Sequence, residues 1–283
     1  MIKKILLVIL SFLTISGVFA EGGKMPEDKH IGFFKLGKGS RTVILVPGIG
    51  DLKENYLELA EALSKEATVY GLDLRGTGES TVGYDSYGAD QTSEDILEFI
   101  HREKLDRITI VANSMSCASA VLVSTKVPEK IDSVILTGPF LRDKELGFVM
   151  RTMLRVLFSG PWGPSAFQSF YESLYPVIKP SDLAQHSQRI KENLKEDGRL
   201  FAVRSMFLAR KPKSEDAIQK LTSKVIIVMG DKDPDFDDPV SEAKELANLT
   251  KGEFFIFQNS GHYPYKDNVN EMVILIKKIW EKE

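Results

Sequence analysis

Apolar residues recur along the chain in two rhythms. Short, mostly apolar runs rich in β-branched and other hydrophobic residues occupy 42–46, 67–72, 108–112, 134–137, 225–229 and 253–257, and read as strands buried on both faces. Residues 31–36 add a candidate first strand. Between these runs the apolar positions fall at helical spacing, over 56–63, over 93–100 with Ser93 as a candidate cap, after Ser114, and over the amphipathic 269–280. Strands alternating with helices imply an α/β fold, a mostly parallel sheet flanked by helices. The alternation breaks between Phe140 and about Pro212. That stretch is rich in Phe, Met and Leu, has turns at Ser159-Gly160-Pro161 and Lys179-Pro180, and has no matching strand. Because the strand pattern resumes beyond it, the expectation is an inserted helical cap, not a separate domain. The core then comprises 30–139 and 213–283, and the cap 140–212.

The N-terminus follows neither rhythm. Lys3 and Lys4 precede an apolar core over 5–15, and Val18-Phe19-Ala20 places small residues before Glu21. This reads as a secretory signal, residues 1–20, followed by a polar linker over 21–29. The apolar run falls short of the about 20 residues of a membrane span. Export to the periplasm or the exterior is therefore expected, with no stable membrane span after cleavage. Composition adds little: of 283 residues, 43% are hydrophobic and 27% charged, as in an ordinary globular chain. The net charge of −3 gives no electrostatic reason to expect nucleic acid as a partner. Cys117 is the only cysteine, so an internal disulfide is excluded, and its place on the helix after Ser114 reads as packing.

Candidate chemistry centres on Ser114. The strand 108–112 runs directly into small residues that open a helix, a turn that lifts the serine hydroxyl to the top of a sheet. Such a nucleophile needs a base, an acid to orient it and donors for an oxyanion. There are four histidines. His30, His101 and His186 lie in polar surroundings and are expected at the surface. His262 follows a glycine in a tight loop just past strand 253–257, where an imidazole reaches the carboxyl end of the sheet. The preceding strand ends in a loop carrying Asp231, Asp233, Asp235, Asp237 and Asp238, and Asp233 is taken as the orienting acid. The others read as a solvated loop that caps the next helix. A calcium loop is disfavoured because the glycine and distal glutamate it needs are missing. Oxyanion donors are expected from the amides of Ile49, in the turn Pro47-Gly48-Ile49-Gly50, and of Met115. No metal or cofactor is required.

Taken together, these stretches resemble the α/β-hydrolase superfamily, from about Phe33 to the C-terminus. Pro47-Gly48-Ile49-Gly50 occupies the place of the oxyanion turn. Asp73-Leu74-Arg75-Gly76-Thr77-Gly78-Glu79-Ser80 matches the Asp-x-Arg-Gly-x-Gly-x-Ser loop of capped, single-domain members. Asn113-Ser114-Met115-Ser116 lies at the nucleophile elbow, and Gly230-Asp231-Lys232-Asp233 and Gly261-His262 match the acid and histidine loops. The chain order Ser, acid, His is the family's. Ala112 and Ser116 replace the two elbow glycines, and Pro47 replaces the usual histidine of the oxyanion turn. In the family the Asp73–Ser80 loop is chiefly architectural, with Arg75 pairing locally. The resemblance implies acyl transfer to water by Ser114, His262 and Asp233. Phe140, Phe158, Trp162, Phe167, Phe170, Tyr171 and Tyr175 suggest an apolar pocket ceiling, or else pack the cap's own core. A small-molecule ester with an apolar acyl or alkyl part is the leading substrate class. Carbon–carbon bond hydrolysis, aminopeptidase activity and ligand binding without catalysis are the alternatives.

Overall fold

The computed structural model describes residues 30–143 and 145–281. The expected signal and linker lie outside them. Seven strands form one sheet: β1 (Phe33–Leu36), β2 (Arg41–Val46), β3 (Ala67–Leu72), β4 (Ile108–Asn113), β5 (Ile131–Thr137), β6 (Lys224–Gly230) and β7 (Glu253–Phe257). Their order is β1-β3-β2-β4-β5-β6-β7. Only β1 runs antiparallel, against β3. All other pairs are parallel.

The mostly apolar runs follow from burial on both faces. On β2, Val43 and Leu45 face one core layer and Ile44 and Val46 the other. The first layer is covered by α1 (Leu57–Leu63) and α11 (Val269–Trp280); the second by α2 (Ala89–Arg102), α3 (Ser116–Lys126) and α9 (Pro239–Thr250). The expected start of α2 needs correction. The helix begins at Ala89, after Gly88, and Ser93 lies in its second turn. There the Ser93 hydroxyl donates to the Asp90 carbonyl at 2.6 Å, a bond that serves the helix interior and leaves no capping role.

Between β5 and β6 the chain passes through α4 (Phe148–Leu157), α5 (Gly163–Ser173), α6 (Leu183–Asn193), α7 (Arg199–Leu208) and α8 (Pro212–Ile218), with no strand among the described residues of that stretch. Helix α8 packs on α3 and so returns to the sheet. The other four sit over the loops at the carboxyl ends of the strands. The Asn193 side chain accepts from the Gly78 amide at 2.9 Å and donates to its carbonyl at 3.2 Å. Arg199 donates to the Ser80 carbonyl at 2.5 Å. Among the described residues no helix is long and apolar enough to cross a membrane. Helix α10 (Pro264–Asp267) is a single turn after the His262 loop.

Candidate active site

β4 ends at Asn113 and α3 begins at Ser116, so one residue must turn the chain sharply. That residue is Ser114, at φ +58°. A left-handed serine costs on the order of 1–3 kcal/mol and persists only where its surroundings hold it. Here the Ser114 amide donates to the Thr137 carbonyl at 2.9 Å, and its carbonyl accepts from the Cys117 and Phe140 amides at 3.2 and 3.3 Å. The two elbow replacements fit the same turn. Ser116 donates its hydroxyl to the Pro47 carbonyl at 2.5 Å, and the Ala112 carbonyl accepts from Thr137 Oγ1 at 3.0 Å. The residue that replaces the second elbow glycine thus meets the residue that replaces the oxyanion-turn histidine.

His262 and Asp233 come together from different loops. Nδ1 of His262 lies 2.7 Å from Oδ2 of Asp233, and both side chains are buried. The other Asp233 oxygen accepts from the Asp235 amide at 3.0 Å. The two loops are tied by the Lys232 amide to the Ser260 carbonyl at 2.9 Å. Asp267 holds the histidine loop from below, accepting from the Ser260 hydroxyl at 2.9 Å and the Gly261 amide at 2.8 Å. Burial works against a charged imidazole, but Asp233, Asp235 and Asp51 outweigh it and raise the His262 pKa to about 9. Burial, reinforced by the charge of Asp233, raises Asp235 to about 6, against the pull of His262. Oδ1 of Asp235 is shielded from solvent and has no hydrogen-bond partner.

Ser114 and His262 share their neighbours. Asn113 donates its side-chain amide to the His262 carbonyl at 3.1 Å and to the Thr137 carbonyl at 3.0 Å. Gly138 has φ +52°, and a Cβ there would stand 2.9 Å from the His262 ring. Phe140, whose amide bonds Ser114, lies 6.2 Å from that ring and stacks on Phe236 at 4.9 Å. No hydrogen bond joins the Ser114 hydroxyl to His262 in this conformation. Such bonds are often long before substrate is bound.

The turn after β2 closes on Ser114 as well. A Cβ on Gly48 would approach Ser114 Cβ to 3.0 Å. Within the described residues, no hydrogen bond engages the amide of Ile49 or of Met115. Two free donors beside a serine are what an oxyanion requires. Gly50, at φ +70°, lies under the ring of Phe167, 2.3 Å from where a Cβ would be.

The remaining candidates separate clearly. His30 and His101 are exposed. His186 is not at the surface, contrary to expectation: it is 2% exposed, and its Nε2 lies 2.7 Å from Oδ1 of the wholly buried Asp51. Asp51 also accepts from the Leu52 amide and from Asn55 at 2.8 Å. The signal was present, since Leu183, His186, Ser187 and Ile190 follow helical spacing along one face of α6. Arg75 pairs with Asp95 through two 2.6 Å bonds, and Asp73 pairs with Lys53 at 2.7 Å, so this loop is held by its own ion pairs. Cys117 is buried, which pushes its thiol pKa well up and leaves it unreactive. Phe158, Phe167, Phe170 and Phe207 cluster inside the insertion. Asp233, Asp235 and His262 are a group whose ligand atoms lie within 4.8 Å of one another. Within that group Nδ1 of His262 is engaged by Asp233 at 2.7 Å.

Comparison with known proteins bears on the fold. A family model described as alpha/beta hydrolase fold matches residues 41–163. A thermophilic esterase from Thermogutta terrifontis superposes with a TM-score of 0.74 at 20% identity, covering 92% of this chain and 96% of that one. A meta-cleavage product hydrolase from Pseudomonas fluorescens gives 0.71 at 18% identity, with 90% and 95% covered. At these identities the likeness is one of fold. A probable alcohol acetyltransferase from Cyberlindnera fabianii is 30% identical over 103 residues, 36% of this chain and 28% of that protein. The chain spans roughly a third of the length of the first curated relatives it matches.

Proposed function

Since the chain is a member of the α/β-hydrolase superfamily, we propose that it is a serine hydrolase of carboxylic esters with an apolar acyl or alkyl part. The observation that carries this reading is the buried His262–Asp233 pair beside a serine held in a left-handed turn. His262 takes the hydroxyl proton on Nε2 as Ser114 Oγ bonds to the ester carbonyl. Asp233 fixes the Nδ1–H tautomer and balances the imidazolium charge. The Ile49 and Met115 amides receive the oxyanion. The carbon–oxygen bond then breaks, His262 returns the proton to the departing alcohol, and water repeats the cycle on the acyl-enzyme. The aromatic wall of Phe140 and Phe236 beside His262 favours an apolar substrate group. One structural neighbour is an esterase, which is consistent with the same reaction.

The proposal includes export through residues 1–20, checked by finding a mature N-terminus at Glu21 outside the cytoplasm. The chemistry is checked with a fluorophosphonate probe and a panel of p-nitrophenyl esters of graded acyl length. Labelling of the parent chain and its loss in Ser114→Ala are expected. Equal labelling of both, or ligand-induced stabilisation without turnover, would instead indicate a binding protein on this scaffold.

A further inference from the structure

A helix lying on a protein surface ordinarily turns a polar face to water. Helix α4 does so only in part. Its inner side is apolar, with Leu154 buried and Met150 and Leu157 packed against the core. Its outer side mixes large apolar with polar residues: Phe148 is 82% exposed, Val149 79% and Val156 56%, with Thr152 and Arg155 exposed among them. These three fall within a stripe of about a third of the helix circumference, with Thr152 among them. Trp162 continues the stripe, anchored by its Nε1–H to the Val156 carbonyl at 3.0 Å and left 36% exposed. Phe201, on the neighbouring α7, is 42% exposed.

Within α4 and α7 the charges have one sign, and Glu145 just before α4 is paired with Arg210. Residues 146–162 and helix α7 contain no Asp or Glu. Arg151 and Arg155 stand four residues apart on α4, a repulsive spacing. From α7, Arg204 is lowered below the usual guanidinium range by burial and then by the nearby charge of Arg155. Among the described residues none of the three has an ion-pair partner. Uncompensated arginines on a chain of net charge −3 concentrate positive potential on this side.

We infer that the outer face of α4, with Trp162 and the adjoining edge of α7, docks on an anionic lipid bilayer. Phe148, Val149, Val156 and Trp162 enter the boundary between headgroups and acyl chains, and Arg151, Arg155 and Arg204 meet lipid phosphates. Exposed aromatic and aliphatic side chains flanked by arginine are the composition such a surface selects. A second copy of the chain is a poor occupant, because a symmetric contact through this face would set the three arginines against their own images. Docking does not depend on the proposed hydrolase chemistry. If both hold, the insertion that overlies Ser114 is the part of the molecule that meets the membrane.

The test reads the patch itself. The chain has two tryptophans, Trp162 in the stripe and the buried Trp280. Full-length protein is mixed with vesicles of brominated phosphatidylcholine, with and without phosphatidylglycerol. Sedimentation would also report the apolar segment 5–15, so the readout is quenching of Trp162, with Trp162→Phe giving the background from Trp280. Strong quenching is expected only with phosphatidylglycerol. The double variant Phe148→Glu, Val149→Glu should partition at least about tenfold more weakly, and each of Arg151→Ala and Arg155→Ala about fivefold more weakly at low salt. Unchanged thermal unfolding of the variants shows that the fold is intact. Equal quenching on purely zwitterionic vesicles, or on the arginine variants, overturns the inference. So does sedimentation without quenching of Trp162, or lipid-free self-association that Phe148→Glu abolishes. Loss of ester turnover with docking retained would instead count against the hydrolase reading alone.

Discussion

His262 sets two pH dependences of opposite sense. Its pKa of about 9 in the folded chain lies above the ordinary 6.5, because three carboxylates outweigh the burial that opposes charge. The neutral imidazole is the base in the proposed reaction, so kcat/KM for an ester should climb through neutrality, reach about half its maximum near pH 9 and level off above it. For stability the sign is reversed. The folded state holds a proton that the unfolded chain has released, so this contribution is complete below about 6.5 and is lost as pH rises towards about 9. Thermal unfolding followed across that window should show a falling midpoint. Replacing Asp235 by Asn removes one of the carboxylates and should move the rise in kcat/KM to lower pH. An unmoved profile would mean that Asp235 does not act on the imidazole. Asp233→Asn should cost on the order of 10⁴ in kcat with little change in fold, since Asp233 fixes the tautomer of His262.

At the scale of elements, the central strands were legible because both faces of the sheet are covered and most of their positions are apolar. The helix starts were less so. Ser93 has the chemistry of a cap, but Gly88 and Ala89 begin α2 and leave Ser93 to bond within it. The loops that carry Ser114, Asp233 and His262 were legible because each follows a strand that the pattern defines. The residues that lock those loops together were not. Ser116 looked like a tolerated departure from glycine, yet its hydroxyl ties α3 to the oxyanion turn. Ser116→Ala should leave the buried Pro47 carbonyl unpaired and cost about 1 kcal/mol in urea unfolding, with a larger fall in kcat than rise in KM. Gly50→Ala combines a left-handed backbone with a Cβ 2.3 Å from the Phe167 ring. Its cost should be about 2 kcal/mol or more.

Over the whole molecule, the insertion was visible from sequence as a break in the strand rhythm, but its attachment was not. Residues 179–199 are so rich in charge that His186 passes for a surface residue, and its partner Asp51 lies 135 positions earlier in the chain. Pairing across that separation is a property of the folded chain and leaves no local mark beyond one half-apolar helix face. His186→Ala should strand the Asp51 carboxylate in the interior and destabilise the protein by about 3 kcal/mol or more, measured by denaturant unfolding. His186→Asn, which keeps a donor, should recover part of that loss.

The Leu174 carbonyl, just past the end of α5, accepts the backbone N–H of His262 at 3.1 Å, and Gly261 lies against the same oxygen too closely for any side chain. Were the insertion displaced to admit a bulky molecule, that hydrogen bond would break, and the His262 loop would lose one of its supports. For the proposed reaction, this predicts that loading and proton transfer belong to different positions of the insertion.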